Sequence, residues 1–425
     1  MPPTVAKMVG GAAVMNLSSF CLSETQMRMH GSEFEKYLQR YLFPLLAIFG
    51  ILGNLLNLTV LLNRRMRSRA NTFLATLALA DICFLSLLLP NVLANYSWFT
   101  YNYYFRYFYF HTKVHLLSFT NWSSGVAIWC VIAVCADRLI GIRHPLYVKA
   151  HVAKYKMSLL IAAIVIFPGV LTFYQHFAHK CPVRSYCNGT QIYSKCLPIN
   201  QDKWFGNQTN PYSESFRNFI DVSILLNVVF VIIFPIILLT ALNMLLLCAL
   251  RQRSNKLLMI TSEDTNSSTK WVFMLSPLEH TNNTTFRPCM DANYLKHHKT
   301  EQRVTLTVAL IVTMFTVTNG PSAVVHLLQN LYQSEAGQKD WYNLVLSCST
   351  LVIFGKASNF ILFCLCSKHF RSRLFSLAQK KVHEKLDSRR RSSTTNPLGI
   401  TASIGPSRKN TAVFQKTSTT QRPSQ

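Results

Sequence analysis

Seven long apolar runs alternate along the chain with short polar connections. They cover approximately Tyr41–Leu62, Asn71–Leu93, Lys113–Leu139, Met157–Phe177, Phe219–Leu250, Val304–Leu331 and Trp341–Cys366. A run of about 20 apolar residues is the length that carries a helix across a bilayer. The pattern predicts an all-α membrane protein, a bundle of seven transmembrane helices. After Cys366, basic and apolar residues alternate in Lys368-His-Phe-Arg-Ser-Arg-Leu-Phe375, which predicts a short amphipathic eighth helix on the membrane surface. The organisation read from this pattern is an N-terminal tail over 1–40, the bundle over 41–366, the surface helix over 367–379 and a disordered tail over 380–425.

Composition agrees. Half of the 425 residues are hydrophobic and 14% are charged, less charge than a soluble chain of this size carries. The net charge of +26 does not point to nucleic acid, because Lys and Arg sit between the apolar runs and in the last part of the chain. That is the distribution of a positive-inside membrane protein. Arg64, Arg65, Arg67 and Arg69 fill one short connection, and Arg143, Lys149, Lys154 and Lys156 another, with no acid in either. Both are expected in the cytoplasm, which places the N-terminus outside the cell and the C-terminus inside. Val9–Met15 is too poor in Leu for a signal sequence, so the first apolar run is expected to direct insertion.

The expected outer segments carry acceptor sequons at Asn16, Asn95, Asn188 and Asn207. They also carry Cys21, Cys181, Cys187 and Cys196, in a compartment where disulfides form. Four cysteines allow three pairings, and the sequence does not choose among them. In Tyr96–Phe110, 11 of 15 residues are aromatic. Such a stretch suits the membrane interface or the rim of a ligand entrance. The segment 251–303 is polar, rich in Ser, Thr and Asn, and expected to be a flexible loop. Ser and Thr cluster at 392–395 and 417–420 as candidate phosphorylation sites.

No catalytic motif is present: there is no GxSxG, HExxH or phosphate-binding lysine loop. No metal site is expected, since His111 and His115 are only a pair. The polar residues inside the apolar runs are isolated, among them Asn54, Asp81, Asp137, Arg138, Asn243, Asn319, Lys356 and Asn359. Such residues are costly in a bilayer and face the bundle interior. Asp81 is the most telling, with Asn54 and Asn359 as natural neighbours. Lys356 is either paired inside the bundle or a sign that the seventh run is misplaced. Transporters tend to show chains of acids and a repeat between halves, and neither is seen.

Taken in order, these residues resemble class A (rhodopsin-like) G-protein-coupled receptors over roughly 41–375. The motifs are Gly53-Asn54, Leu77-Ala-Leu-Ala-Asp81, Asp137-Arg138-Leu139, Pro145-Leu146, Pro235, Phe315, Pro321, Asn359-Phe-Ile-Leu-Phe363 and Phe370. The seventh-helix motif further resembles invertebrate FMRFamide-type neuropeptide receptors. The resemblance implies that Asp137, Arg138, Pro145, Leu146 and Glu301 serve G-protein coupling, and that Phe315, Asn319, Pro321 and Phe363 form a switch. It implies an outside ligand, a neuropeptide by preference, with Lys113, Thr120 and Asp221 as pocket candidates. Thr120 stands where amine receptors keep an acid. Arg106, Arg184 and Lys113 are equally suited to an acidic ligand. Partners implied are a heterotrimeric G protein, arrestin and receptor kinases at the tail, and membrane lipid in the plasma membrane. No cofactor is expected beyond a sodium ion near Asp81. Departures are Leu139, Asn243, Asn319 and Phe360, and the lack of a cysteine near Lys113, which removes the family's usual disulfide. A seven-helix transporter or channel, or a non-signalling receptor-like protein, is the alternative.

Overall fold

A computed structural model describes residues 20–63, 68–143, 154–202, 204–205, 208–270, 292–331, 338–366, 370–376, 379–380, 383 and 385–387. The chain divides into two units, Met1–Leu374 and Phe375–Gln425. In the second unit, the described positions are helical, and His383 faces Asp387 at 3.1 Å. The Ser and Thr clusters of the tail lie outside the described residues.

Among its described residues, the first unit holds seven helices with stretches long and apolar enough to cross a bilayer. These are α1 (Glu33–Leu61), α2 (Arg69–Leu93), α3 (Tyr103–Arg143), α4 (Lys154–Thr172), α5, α6 (Ala292–Leu331) and α7 (Gln338–Cys366). α5 is composite: Glu214–Asn227, a π-helical turn Val228–Ile233, then Phe234–Lys270. The π turn ends just before Pro235, whose missing N–H would otherwise break the ladder there. The helices close a ring. α1 packs on α2 and α7, α2 on α3, α3 on α4 and α5, and α6 on α5 and α7.

The bundle is apolar outside and carries polar groups inside. Leu45, Ile48, Leu52, Leu159, Val170 and Ile237 are exposed, whereas Asn54, Asn57, Asp81, Asn243, Asn319, Lys356 and Asn359 are buried. This is the arrangement a lipid solvent favours, because polar groups find partners only among themselves. Small residues set the closest approaches. A Cβ at Gly53 would come within 2.7 Å of the Phe360 Cβ, and one at Gly50 within 2.9 Å of the Ala357 backbone. Gly53 thus makes room for the Phe360 side chain. On the other flank, Trp122 of α3 donates its indole N–H to the Val165 carbonyl at 2.8 Å. That carbonyl lies just before Pro168, which interrupts the hydrogen-bond ladder of α4. A tryptophan on α3 therefore braces the helix that lacks its own.

Two expected boundaries move. The third helix begins at Tyr103 rather than Lys113, so much of the aromatic stretch is helical. The fifth and sixth helices run on to Lys270 and back to Ala292 through residues expected to be loop. The reason is common to both. An apolar criterion stops where the membrane stops, but backbone hydrogen bonding continues into polar sequence.

One end of the bundle is capped by a strapped hairpin. β2 (Val183–Tyr186) pairs antiparallel with β3 (Gln191–Ser194), and β1 (His179–Lys180) pairs with β4 (Leu197–Pro198). The hairpin turns through Cys187, Asn188 and Gly189, all at positive φ, where Asn and Gly are at home. Cys21 is bonded to Cys187 and Cys181 to Cys196. The first bond straps the N-terminal segment onto the hairpin. Gln191 brackets the same segment, accepting from Leu22 N–H at 2.7 Å and donating to its carbonyl at 3.3 Å.

The loops closed by the two disulfides differ: 166 residues for Cys21–Cys187 and 15 for Cys181–Cys196. In the chain-entropy account a 15-residue loop is worth about 3 kcal/mol and a loop beyond 100 residues about 5. Cys21→Ser should therefore lower the thermal midpoint of the detergent-solubilised protein more than Cys181→Ser. The reverse order would show that strapping the hairpin to itself is the larger restraint.

Candidate functional site

Three groups of polar residues stand out along the bundle: one at the hairpin end, one in the middle, and one at the far end of α3.

In the middle, Asp81 of α2 is fully buried. Its Oδ1 accepts from Lys356 Nζ at 3.1 Å and its Oδ2 from Asn359 Nδ2 at 2.6 Å, both on α7. The Lys356 ammonium also lies 4.6 Å from the centre of the Phe84 ring. Asn54 of α1 donates to the carbonyls of Gly50 and Lys356, and Asn57 donates to Asn54. The structure thus joins Asn54, Asp81 and Asn359, and adds Lys356 as the charge that balances Asp81. Lys356 is paired inside the bundle, so the seventh run is correctly placed. A sodium ion fits this donor set poorly. Both carboxylate oxygens already have donors, and an ammonium holds the cation's position.

Beside the middle group, where Thr318 meets Gly355, Phe315 and Asn319 of α6 are buried, and Asn319 donates to the Phe315 carbonyl at 2.9 Å. Asn243 of α5 donates to Thr313 at 3.0 Å, a direct tie between α5 and α6. Pro321 lies inside α6. Phe363 packs on Phe370, with ring centres 5.4 Å apart. Asp137 sits near the end of α3, and its Oδ1 accepts from Arg69 Nη2 at 2.7 Å. Arg69 opens α2, where Ser68 caps the helix through Asn71 N–H. Read from sequence, Arg69 was only one more basic loop residue; its place in the first turn of α2 makes it Asp137's partner. Arg138 follows Asp137 and is half-buried. Pro145 and Leu146 lie outside the described residues. Glu301 lies on α6, and its side chain is outside the description.

At the hairpin end, Arg106, one of three cations equally suited by sequence to an acidic ligand, is 1% exposed and fully engaged. Its Nε and Nη2 donate to the Ile192 carbonyl at 2.8 and 2.6 Å, and its Nη1 donates to Met27 and Thr100 carbonyls at 2.8 and 2.9 Å. It thereby ties α3 to the hairpin, to the N-terminal segment and to the turn before α3. The guanidinium lies 5.1 Å from the Phe110 ring centre. Nothing in the local sequence distinguishes Arg106 from Arg184, which is exposed on β2.

The three ligand-pocket candidates turn to separate partners. Lys113 lies over the Phe110 ring at 5.2 Å, Thr120 spends its hydroxyl on the Leu116 carbonyl, and Asp221 accepts from Asn200 at 2.7 Å. The hairpin end instead offers an open recess of about 360 Å³ lined by Leu22, Glu24, Met27, Tyr101 and Gln191. Tyr101 donates to Glu24 at 3.1 Å there, and burial beside this carboxylate raises the phenol above its ordinary pKa. His115 faces His176, their Nδ1 atoms 2.8 Å apart. Of the sequons, Asn188 is exposed at the hairpin turn. Asn95 is buried, its amide donating to Gln39 and to the Asn91 carbonyl, so it has no room for a glycan. Asn16 and Asn207 lie outside the described residues.

Comparison with known proteins bears on this arrangement. The 7 transmembrane receptor (rhodopsin family) pattern matches residues 53–359, from the Gly53 contact to the Asn359 contact. A Caenorhabditis elegans chain named as a G-protein coupled receptor is 36% identical over 93% of this chain and 86% of its own length. The rat cholecystokinin receptor type A is 27% identical over 44% of this chain and 42% of its own. The Drosophila melanogaster neuropeptide CCHamide-1 receptor is 30% identical over 31% and 26%. The narrower FMRFamide likeness has only loose support from these relatives. With seven apolar helices closed around a buried Asp81 network, and with a family match spanning that network, the chain belongs to the rhodopsin family of seven-transmembrane receptors and is a multi-pass G-protein-coupled receptor.

Proposed function

We propose that this receptor sits in the plasma membrane with its hairpin end outside, and that it transmits the binding of a peptide to a heterotrimeric G protein. The observation that carries the reading is the strapped hairpin end. It presents an open recess of about 360 Å³ lined in part by the acid Glu24 and the aromatic Tyr101. A peptide side chain, especially a basic one, suits such a surface. One relative is named as a neuropeptide receptor, which supports the same class. Acid-free basic connections at 63–71 and 143–156 support a cytoplasmic Asp137 end.

The transmitting motion is an outward swing of α6 about Pro321. Arg138 and Glu301 lock the resting state, and Pro145 and Leu146 meet the G protein once it opens. A ligand drives the change only by favouring the open state over the closed one. Kinases and arrestin then act on the Ser and Thr clusters of the tail. The test uses cells expressing the full chain and a second-messenger readout against a library of amidated peptides. At least one peptide should give a saturable response, and Glu301→Ala should raise ligand-free signalling several-fold. Silence with every peptide and every G protein would sink the reading. An unchanged basal level in Glu301→Ala would sink the lock.

A further inference from the structure

The bundle's central acid is balanced by a charge that belongs to the chain itself. Asp81 has no access to solvent, and the Lys356 side chain is 1% exposed. They meet at 3.1 Å. A carboxylate this deep needs a positive partner, since an unpaired ion in a dry site is strongly unfavourable. A mobile cation is one solution and a tethered ammonium is another, and the two are mutually exclusive. Adding a free cation beside Lys356 would leave one uncompensated positive charge in the same buried space.

The rest of the site is built around the ammonium. Phe84, one turn beyond Asp81 on α2, turns its ring to it at 4.6 Å, a contact favourable to a cation. Asn359 takes the second carboxylate oxygen at 2.6 Å. Asn54 holds the Lys356 carbonyl at 3.2 Å and so fixes the backbone from which the side chain reaches. A hard metal ion prefers a shell of oxygen ligands. Here two nitrogen donors hold the carboxylate, and an aromatic face backs the ammonium.

We propose that Lys356 is a tethered counter-ion that takes the place of a sodium ion beside Asp81, so that the resting bundle of this receptor does not depend on sodium. Lysine at this position converts an ion-binding site into a fixed link between α2 and α7. The inference stands apart from the identity of the ligand and is tested without one.

The experiment measures thermal unfolding of the full-length receptor in detergent, in sodium chloride and in choline chloride at equal ionic strength. The wild-type midpoint should be the same in both salts. Lys356→Ser removes the ammonium and leaves room and a hydroxyl oxygen beside Asp81. It should gain a saturable, sodium-specific rise of several degrees, as expected when an ion binds only the folded state. Asp81→Asn/Lys356→Ser should show no such rise. Should Lys356→Ser fail to accumulate, Lys356→Gln serves the same comparison, and the wild-type arm stands without either. A wild-type receptor stabilised by sodium over choline would overturn the proposal. So would a folded Lys356→Ser or Lys356→Gln receptor that does not distinguish the salts.

Discussion

Asp81→Asn should destabilise the receptor by about 3–5 kcal/mol, the usual cost of stranding one member of a buried ion pair. The side chain keeps its shape, but Lys356 loses the carboxylate that faces it at 3.1 Å, in a fully buried site. Asn359 must also trade a charge-assisted hydrogen bond for a neutral one. The measurement is the unfolding midpoint of purified protein, with cell-surface yield as a second readout. The companion experiment is the double substitution Asp81→Asn/Lys356→Met. Replacing both members of a buried pair is often close to neutral, so the double variant should recover most of the loss. If it is as unstable as Asp81→Asn alone, the damage lies in packing between α2 and α7 and not in charge.

The second large effect is expected from Arg106→Ala. Three carbonyls, those of Ile192, Met27 and Thr100, lose their donors at a buried position. Each buried acceptor left without a partner costs about 1–3 kcal/mol. The loss should be local. Disulfide Cys21–Cys187 still holds the N-terminal segment to the hairpin, but the hydrogen-bonded tie through Arg106 to α3 is lost, leaving the Phe110–Tyr193 ring contact. Faster amide exchange is expected at Leu22–Met27 and Gln191–Ser194, with α6 and α7 unchanged. Arg106→Lys should repair little, because one ammonium cannot reproduce a planar fork that reaches three carbonyls. Exchange that rises uniformly across the bundle would show that Arg106 supports the whole fold and not this junction.

These two sites show where sequence reading succeeds and where it stops. Asp81, Asn54 and Asn359 were legible as partners because an acid in an apolar run has few places to go. Lys356 was legible as a problem but not as an answer. Its partner lies 275 residues away, and only the packing of α7 against α1 and α2 brings it within reach. Arg106 could not be told from Arg184, because exposed and buried arginines look alike in sequence. Arg69 was passed over because a helix start cannot be separated from a basic loop by charge alone. The cysteines were recognised as disulfide formers, but their pairing follows from the hairpin register, which no spacing encodes. Asn95 satisfies the sequon, yet its amide is taken by Gln39 and Asn91.

By itself the sequence determined the seven membrane-crossing helices and the burial of their polar residues. Bilayer thickness sets the length of an apolar run, and the cost of a charge in lipid sets which way it must face. Both constraints act on each segment separately, so each segment records them. Only the tertiary structure decided which polar group meets which: Lys356 with Asp81, Arg106 with three carbonyls, Arg69 with Asp137, Cys21 with Cys187. Those pairings depend on how helices and loops distant in sequence pack together, and a short-range pattern carries no record of that.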